Sequence, residues 1–285
     1  MNYAVVGGDR RSILLAEALA ADGHRVRCFA NEKNDAKGCV KCRSLPSCLY
    51  GADGVILPIP AEREGFLNAP LSDEKISAEE LIAGIQPGQK LFGGGIGERL
   101  LSLAEAVGCP VFDFLQDEDF TAANALLTAE AAVGLLIHDC DRAVFKSRAL
   151  VLGYGRIGKA LAARLRALGS DVTVAERNEA VLKEAERAGM HALLLTELES
   201  RIGAFDFILN TIPARILSSA ALCSAAEGAV LTELASAPGG FDGSFAKNIG
   251  LKTIIAPGLP GRFSPRSSAQ YIKKAVYSAV STGKE

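Results

Sequence analysis

Residues 149–158 have the sequence Ala-Leu-Val-Leu-Gly-Tyr-Gly-Arg-Ile-Gly, an apolar stretch that runs directly into closely spaced glycines. The apolar run Ala149–Leu152 predicts a buried strand, and apolar positions at helical spacing over Arg156–Leu168 predict a helix. Gly169 ends that helix, and Asp171–Ala175 predicts a second strand. A strand, a glycine turn, a helix and a second strand in this order are typical of a parallel sheet with helices on both faces.

The glycines of this turn have the G-x-G-x-x-G spacing of dinucleotide-binding proteins. The first glycine permits the tight turn, the second lets a pyrophosphate approach the backbone, and the third lets the helix pack on the strand. The helix N-terminus offers free N–H groups and the positive end of its dipole to the phosphates. A glycine-rich turn without a ligand is the alternative. The predicted pyrophosphate site consists of Gly153, Tyr154, Gly155, Arg156, Ile157 and Gly158.

The end of the second predicted strand carries two residues that favour different cofactors. Glu176 stands where a carboxylate would accept a hydrogen bond from the ribose 2′-OH of NAD. Arg177 stands where a guanidinium would hold the 2′-phosphate of NADP, although it is also a plausible solvated cation at a helix start. Because a carboxylate repels a phosphate unless it turns away, these residues alone leave both cofactors open.

The first half of the chain repeats this order of elements. Tyr3–Val6 predicts a strand, Gly7-Gly8 a turn, Ser12–Ala21 a helix and Arg25–Phe29 a second strand. We therefore predict an α/β fold of two tandem doubly wound Rossmann-like domains with a cleft between them. Further strands are expected at Gly54–Leu57, Lys90–Phe92, Pro110–Phe112, Phe207–Asn210, Ala229–Glu233 and Thr253–Ala256.

The same pattern gives the domain boundaries. We expect an N-terminal substrate domain over residues 1–120 and a dinucleotide-binding domain over residues 148–262. Apolar periodicity over Ala122–Phe145 predicts a long helix within a connection at residues 121–147, with Thr121 as its N-cap. A C-terminal helix in residues 263–285 is expected to pack back across the domains.

Composition excludes several functional classes. The chain of 285 residues has 31 Lys+Arg against 33 Asp+Glu, so no global charge attracts it to nucleic acid or to an anionic membrane. The pattern indicates neither a signal peptide nor an apolar run that would span a bilayer, so we expect a cytoplasmic chain with reduced cysteines. Cys39 and Cys42, with Cys28 and Cys48 nearby, suggest zinc only weakly, and no metal site is predicted.

Pro/Gly-rich loops follow the later strands of the second half. Ligands of doubly wound sheets lie beyond the carboxyl ends of the strands, so these loops should border the nicotinamide and its ribose. Ordinary turn chemistry is the alternative for any one loop. The cofactor contacts predicted in these loops are Asn210, Thr211, Ile212, Pro213, Ser236, Pro238 and Gly239.

Several motifs together resemble the family of dipicolinate synthase A subunits. In the second half they are the Leu152–Gly158 turn, Asn-Thr-Ile-Pro-Ala at 210–214, Leu-Ala-Ser-Ala-Pro-Gly-Gly at 234–240 and Ala-Pro-Gly-Leu-Pro-Gly at 256–261. Looser matches in the first half are Gly7–Arg10, Leu57–Pro60 and Thr128–Glu130. The sequence departs from the family pattern at residues 262–269 and at Glu176, where a small residue is more usual.

The resemblance implies an NADP-binding protein that oxidises dihydrodipicolinate to dipicolinate (pyridine-2,6-dicarboxylate) for sporulation. It also implies a flavoprotein-like partner, the dipicolinate synthase B subunit, and we expect the chain to form a homo-oligomer. A dicarboxylate substrate needs cations or N–H groups arranged as forks. The expected substrate contacts, some of them taken from the family-like motifs, are Arg10, Pro58, Thr128, Pro260, Arg262 and Arg266.

Hydride removal also needs a proton acceptor, and Asp9 and Glu130 are the candidate catalytic acids because both lie beside family-like motifs. Aromatisation makes the chemistry favourable enough for water to take the proton instead. Two other functions stay open at this point: a shikimate-dehydrogenase-like reductase, for which no Lys/Asp pair is evident, and a non-catalytic dinucleotide-binding subunit.

Overall fold

A computed structural model describes residues 1–282 of the chain. The chain divides into two compact units, one made of Met1–Asn124 with the segment from Gly261 onward, and the other of Ala125–Pro260. Each unit is built on a six-stranded, fully parallel sheet. The predicted class, two doubly wound α/β domains in tandem, is confirmed.

The first unit begins with alternating strands and helices. In chain order they are β1 (Asn2–Val6), α1 (Arg10–Ala21), β2 (Arg25–Phe29), β3 (Val40–Lys41), α2 (Leu45–Leu49), β4 (Gly54–Ile56), β5 (Glu62–Arg63), β6 (Phe66–Leu67), α3 (Ala78–Ala83), β7 (Lys90–Gly93), α4 (Glu98–Ala106) and β8 (Val111–Asp113). The long helix α5 (Glu118–Asp139) follows.

The second unit continues the alternation. Its elements are β9 (Arg148–Leu152), α6 (Arg156–Ala167), β10 (Asp171–Glu176), α7 (Glu179–Arg187), β11 (His191–Leu194), α8 (Leu198–Arg201), β12 (Phe207–Asn210), α9 (Ser219–Cys223), β13 (Val230–Glu233), α10 (Gly243–Asn248) and β14 (Lys252–Ile255). The chain closes with α11 (Leu259–Phe263) and α12 (Pro265–Thr282).

Both sheets have the strand order of dinucleotide-binding folds. The first is β3-β2-β1-β4-β7-β8 and the second is β11-β10-β9-β12-β13-β14, which is the order 3-2-1-4-5-6 in each case. The order reverses between β1 and β4 in the first unit and between β9 and β12 in the second. Ligands of such sheets bind at this switch point, beyond the carboxyl ends of the strands.

Alternation along the first strands supplies a core on each face of the sheets. In β9, Val151 faces a core shared with α5, α6 and α7, whereas Leu150 and Leu152 face a core shared with α8, α9 and α10. In β1, Val6 faces the core on one side of the sheet and Val5 faces the core on the other side. The final helix α12 packs on α1 within the first unit.

The helix α5 differs from its predicted bounds. It begins at Glu118, three residues before the predicted N-cap, because the Asp117 carboxylate accepts the Phe120 N–H at 2.8 Å. Thr121 is therefore inside the helix, where its hydroxyl donates to the Asp117 carbonyl at 3.0 Å. The helix ends at Asp139 rather than Phe145.

The same helix also corrects the membrane expectation. By length and composition α5 is apolar enough to cross a bilayer, contrary to the sequence-based prediction that the chain holds no such run. Fifty-six per cent of its apolar window is buried inside the protein, and Ala132 and Leu136 are fully buried in the second unit's core. The helix therefore has the burial of a core helix.

Candidate functional site

The glycine turn after β9 is shaped by its neighbours. Gly153 has a φ of +90°, which disfavours any side chain, and its N–H donates to the Ala175 carbonyl at 2.9 Å. A Cβ there would lie 2.8 Å from both Thr211 Oγ1 and Ile212 Cγ1. A Cβ on Gly158 would collide with the Gly153 carbonyl oxygen, so glycine at this position lets α6 pack on the turn.

The middle glycine of the motif differs, because the space beside it is open. Apart from its immediate chain neighbours, a Cβ on Gly155 would meet no heavy atom of residues 1–282 within 4 Å. Gly155 is also the N-cap residue of α6, and no described side chain caps the helix there. Exposed N–H groups at a helix N-terminus with open space beside them are what a pyrophosphate requires, so the residues present fit a dinucleotide.

The residues flanking the turn lie along the path from β9 into α6. Tyr154 is buried, which raises the pKa of its phenol, and the Lys159 ammonium lies 5.5 Å from its ring centroid. Arg156 and Ile157 form the first turn of α6. Glu176 is the last residue of β10, which places it beside the turn, and Arg177 follows it on the surface.

The loop after β12 is tied to the same turn. The Thr211 N–H and hydroxyl both donate to the Leu152 carbonyl, at 3.0 and 2.8 Å. Ile212 N–H donates to Asn210 Oδ1 at 3.1 Å, and Pro213 follows on the surface. These bonds hold the loop across the β9/β12 switch point, where the structure brings together the predicted residues of both loops.

A buried carboxylate that the sequence analysis missed organises the loop after β13. Glu233 Oε1 accepts from Asn210 Nδ2 at 2.7 Å and from Ala235 N–H at 2.9 Å, while Oε2 accepts from Gly240 N–H at 2.7 Å. Asn210 is completely buried and Glu233 nearly so. The only sequence signal was an acidic residue at the end of an otherwise apolar strand.

The loop that Glu233 holds carries the remaining predicted cofactor contacts. Ser236 and Pro238 are exposed at its tip, whereas Gly239 is buried with a φ of +74°. A Cβ on Gly239 would lie 2.9 Å from Glu233 Oε2, so the backbone must pass directly over the carboxylate. The loop is thereby fixed at one end while its tip is free to contact a ligand.

The corresponding glycine turn of the first unit is covered. Gly8 N–H donates to the Asn68 carbonyl at 2.9 Å, and a Cβ on Gly7 would lie 3.2 Å from both that oxygen and Ala69 Cβ. The covering segment follows the β5/β6 hairpin, which lies in the long excursion between β4 and β7. The two units therefore share a topology but differ in access to the turn.

Residues from three family-like motifs meet at the start of α1 in the first unit. Asp9 caps α1 by accepting Arg11 N–H at 2.9 Å and forms an ion pair with the Arg11 guanidinium at 2.8 Å. Arg11, buried and missed by the sequence analysis, also donates to the Ile59 carbonyl at 2.6 Å. A Cβ on Gly261 would lie 2.5 Å from Asp9 Oδ2, so only glycine fits there. The candidate acid Asp9 is thus engaged at both oxygens.

Two expected substrate residues lie beside this cluster. Arg10 is the first residue of α1 and is exposed. Pro58 is buried after β4, and a Cβ on Gly8 would lie 3.6 Å from the Pro58 Cβ. The structure therefore places Arg10 and Pro58 on neighbouring loops at the first unit's switch point.

The two C-terminal arginines expected to contact the substrate lie on two different helices. Arg262 is exposed on α11, directly after Gly261. Its guanidinium carbon Cζ lies 5.6 Å from the ring centroid of Phe263. Arg266 lies in the first turn of α12 and lines a groove of about 370 Å³ between α1 and α12, together with Glu17 and Lys273. The two guanidiniums thus belong to different local surroundings.

The remaining predicted residues lie in the second unit. Pro260 is buried in α11. On α5, Thr128 is buried and the candidate acid Glu130 is exposed.

All seven cysteines are free thiols. Cys28 hydrogen-bonds Cys39, which contributes to raising the pKa of Cys28 and lowering that of Cys39, and burial raises the pKa of Cys48 beside Cys42. Within residues 1–282 no three of the His, Cys, Asp and Glu side chains are grouped to hold a metal ion.

Comparison with known proteins assigns each half of the chain. Residues 2–115 match the family described as the N-terminal domain of the dipicolinate synthase A subunit, and residues 149–200 match the TrkA-N domain. The transhydrogenase of Sinorhizobium meliloti, 18% identical, has the same fold with a TM-score of 0.70 over 98% of this chain and 93% of its own. The second unit accordingly contains the TrkA-N match within a doubly wound fold that the transhydrogenase shares.

Two relatives match over nearly the whole length. The chain is 30% identical to the dipicolinate synthase A subunit of Bacillus subtilis over 277 residues, 95% of this chain and 93% of that protein. The crystal structure of the Bacillus subtilis protein superimposes with a TM-score of 0.85 at 27% identity, covering 99% and 96% of the two chains. That of Bacillus halodurans gives 0.88 at 23% identity, covering 98% and 97%. The chain therefore belongs to the dipicolinate synthase A subunit family.

Proposed function

We propose that this chain is the oxidoreductase subunit that converts dihydrodipicolinate to dipicolinate, pyridine-2,6-dicarboxylate, with a nicotinamide dinucleotide as hydride acceptor. The observation that carries the proposal is the open Gly155 position at the β9/β12 switch point, in a chain that matches the dipicolinate synthase A subunit over 95% of its length. The resemblance implies a cytoplasmic role in sporulation and NADP as the cofactor, with Arg177 as the residue that would hold the 2′-phosphate.

The overall reaction removes one hydride and one proton from the substrate ring and leaves the ring aromatic. When bound, the nicotinamide accepts the hydride. The Gly153–Gly158 turn and the start of α6 bind the pyrophosphate. Glu233 and Asn210 orient the loop at residues 234–240, whose tip borders the nicotinamide. Each of these tasks is binding or positioning, which is the protein's share in cofactor chemistry.

The substrate's two carboxylates need cationic partners. We assign that role to Arg10 and Arg262, which are exposed near the Asp9–Arg11 pair at the start of α1. Asp9 holds Arg11, and through it the loop at Ile59, so its first task is positioning. The proton released on aromatisation then passes to Glu130 or to water.

A partner completes the proposed enzyme. The relative's designation as an A subunit implies an enzyme of more than one kind of chain. We propose that the partner is the flavoprotein-like B subunit that the family resemblance implies.

The test is turnover of dihydrodipicolinate with the purified chain, followed by appearance of reduced nicotinamide, with and without the partner protein. We expect dipicolinate to form in one of the two mixtures and Gly155→Val to abolish it. Cofactor binding without turnover in either mixture would instead support a non-catalytic dinucleotide-binding role. Turnover of shikimate but not of dihydrodipicolinate would support the shikimate-dehydrogenase-like alternative.

A further inference from the structure

The carboxylate at the end of β10 is held over the glycine turn. Glu176 Oε1 accepts the Arg177 N–H at 2.8 Å, and Oε2 accepts the Tyr154 N–H at 3.4 Å. Tyr154 is the middle residue of the Gly153–Gly155 turn, so one side chain connects the ends of two neighbouring strands. A carboxylate with these two donors faces the turn and has not swung away into solvent.

This position is where a doubly wound sheet distinguishes the two nicotinamide dinucleotides. The adenine ribose lies at the end of the second strand, and an acidic residue there accepts a hydrogen bond from the 2′-OH. A 2′-phosphate would bring a charge of about −1.5 to −2 to the same place. At about 4 Å, repulsion between two unit charges near a protein surface is large enough to reverse a preference.

The charged residues that follow Glu176 in the chain do not fully compensate its repulsion of a 2′-phosphate. Arg177 is exposed, and the turn that carries it is short, because Asn178 caps α7 by accepting Ala180 N–H at 2.9 Å. The next residue, Glu179, adds a second carboxylate in the first turn of α7. A phosphate at this end of β10 would therefore meet the Glu176 carboxylate with one exposed guanidinium beside it, whereas Glu179 lies three residues further along the chain, on α7.

From this geometry we infer that the chain selects NAD over NADP, and that Glu176 is the residue that determines the choice. The inference rests on the proposed function, since it concerns the cofactor of that reaction. It departs from the NADP that the family resemblance implies, and it does so at the position where this sequence departs from the family pattern.

The experiment is calorimetric titration of NAD⁺ and of NADP⁺ into the whole chain and into two variants. Glu176→Gln keeps the size of the side chain and removes its charge, and Glu179→Gln removes the same charge three residues away. Wild-type protein should bind NAD⁺ at least about tenfold more tightly than NADP⁺. Glu176→Gln should shift the ratio towards NADP⁺ by about tenfold or more, and Glu179→Gln by less than about twofold.

A third variant and a stability measurement keep the outcome unambiguous. Arg177→Ala should leave NAD⁺ affinity within about twofold while weakening NADP⁺ further. Thermal unfolding should show that all three variants fold, since the turn retains its backbone bond from Gly153 N–H to the Ala175 carbonyl.

Tighter wild-type binding of NADP⁺, or equal shifts in the two glutamine variants, would overturn the assignment of Glu176 and leave the proposed reaction intact. Failure of the wild-type chain to bind either dinucleotide would overturn both.

Discussion

Replacing Gly155 by valine separates cofactor binding from folding. The structure leaves open space where the new side chain would go, and the backbone there is extended, with φ at −77° and ψ at −164°, which valine adopts readily. The cost to the fold is limited to exchanging glycine for a poor N-cap residue, about 1 kcal/mol or less. The branched side chain, however, fills the space that the pyrophosphate needs.

The loss of affinity follows from the bonds that the side chain prevents. Each hydrogen bond from a backbone N–H to a charged phosphate contributes roughly 1.5–3 kcal/mol. Loss of one or two such bonds should weaken cofactor binding by about 2–4 kcal/mol, which corresponds to about 30- to 1000-fold in the dissociation constant.

Gly158→Ala is the matched control in the same motif. It adds a smaller side chain than Gly155→Val does, but it is expected to cost more fold stability. Its Cβ would collide with the Gly153 carbonyl oxygen, so α6 must move and the unfolding free energy should fall by about 1–3 kcal/mol. Thermal unfolding and calorimetric titration of both variants test the pair. Unchanged cofactor affinity in Gly155→Val, or a larger stability loss there than in Gly158→Ala, would refute the assignment of the turn.

Three further predictions concern other parts of the chain. Glu233→Gln places an amide N–H₂ against donors that now meet a carboxylate, so calorimetry should show the unfolding free energy fall by about 1–3 kcal/mol. Steady-state kinetics and titration should show that turnover falls more than cofactor affinity. Burial lowers the pKa of His24, so protonation of this side chain favours the unfolded chain. The unfolding temperature should therefore fall as the pH drops below about 6.5, and it should fall less steeply in His24→Gln than in His191→Gln, the control at an exposed histidine. Arg262→Ala should weaken substrate binding by about 1.5–3 kcal/mol in a titration, whereas Arg266→Ala, on α12 in the groove beside α1, should leave it unchanged.

The fold followed from local sequence signals. The predicted strand Phe207–Asn210 matches β12 at both ends, and the predicted Arg25–Phe29 matches β2. Such strands are short apolar runs bounded by turn residues, and their order along the chain fixes a parallel sheet. The pyrophosphate turn could be predicted equally well, because all three glycines lie within a stretch of six residues.

Residues that act through distant neighbours could not be found in this way. Glu233 holds Asn210, which is 23 positions away, and Arg11 reaches the carbonyl of Ile59 across 48 positions. The covering of the Gly7-Gly8 turn by Asn68 depends on where a long excursion folds back. No local periodicity records such contacts. The predicted start of α5 was wrong for a simpler reason. Asp117 and Thr121 are both good N-cap residues and lie four positions apart.

The most direct test of the central claim is a crystal structure of the chain with its nicotinamide dinucleotide. We predict that the pyrophosphate lies against the N–H groups at the start of α6, beside Gly155, with the adenine ribose next to Glu176 and the nicotinamide near the loop that Glu233 holds. A dinucleotide bound at the Gly7-Gly8 turn of the first unit, with the Gly153–Gly158 turn empty, would contradict this claim.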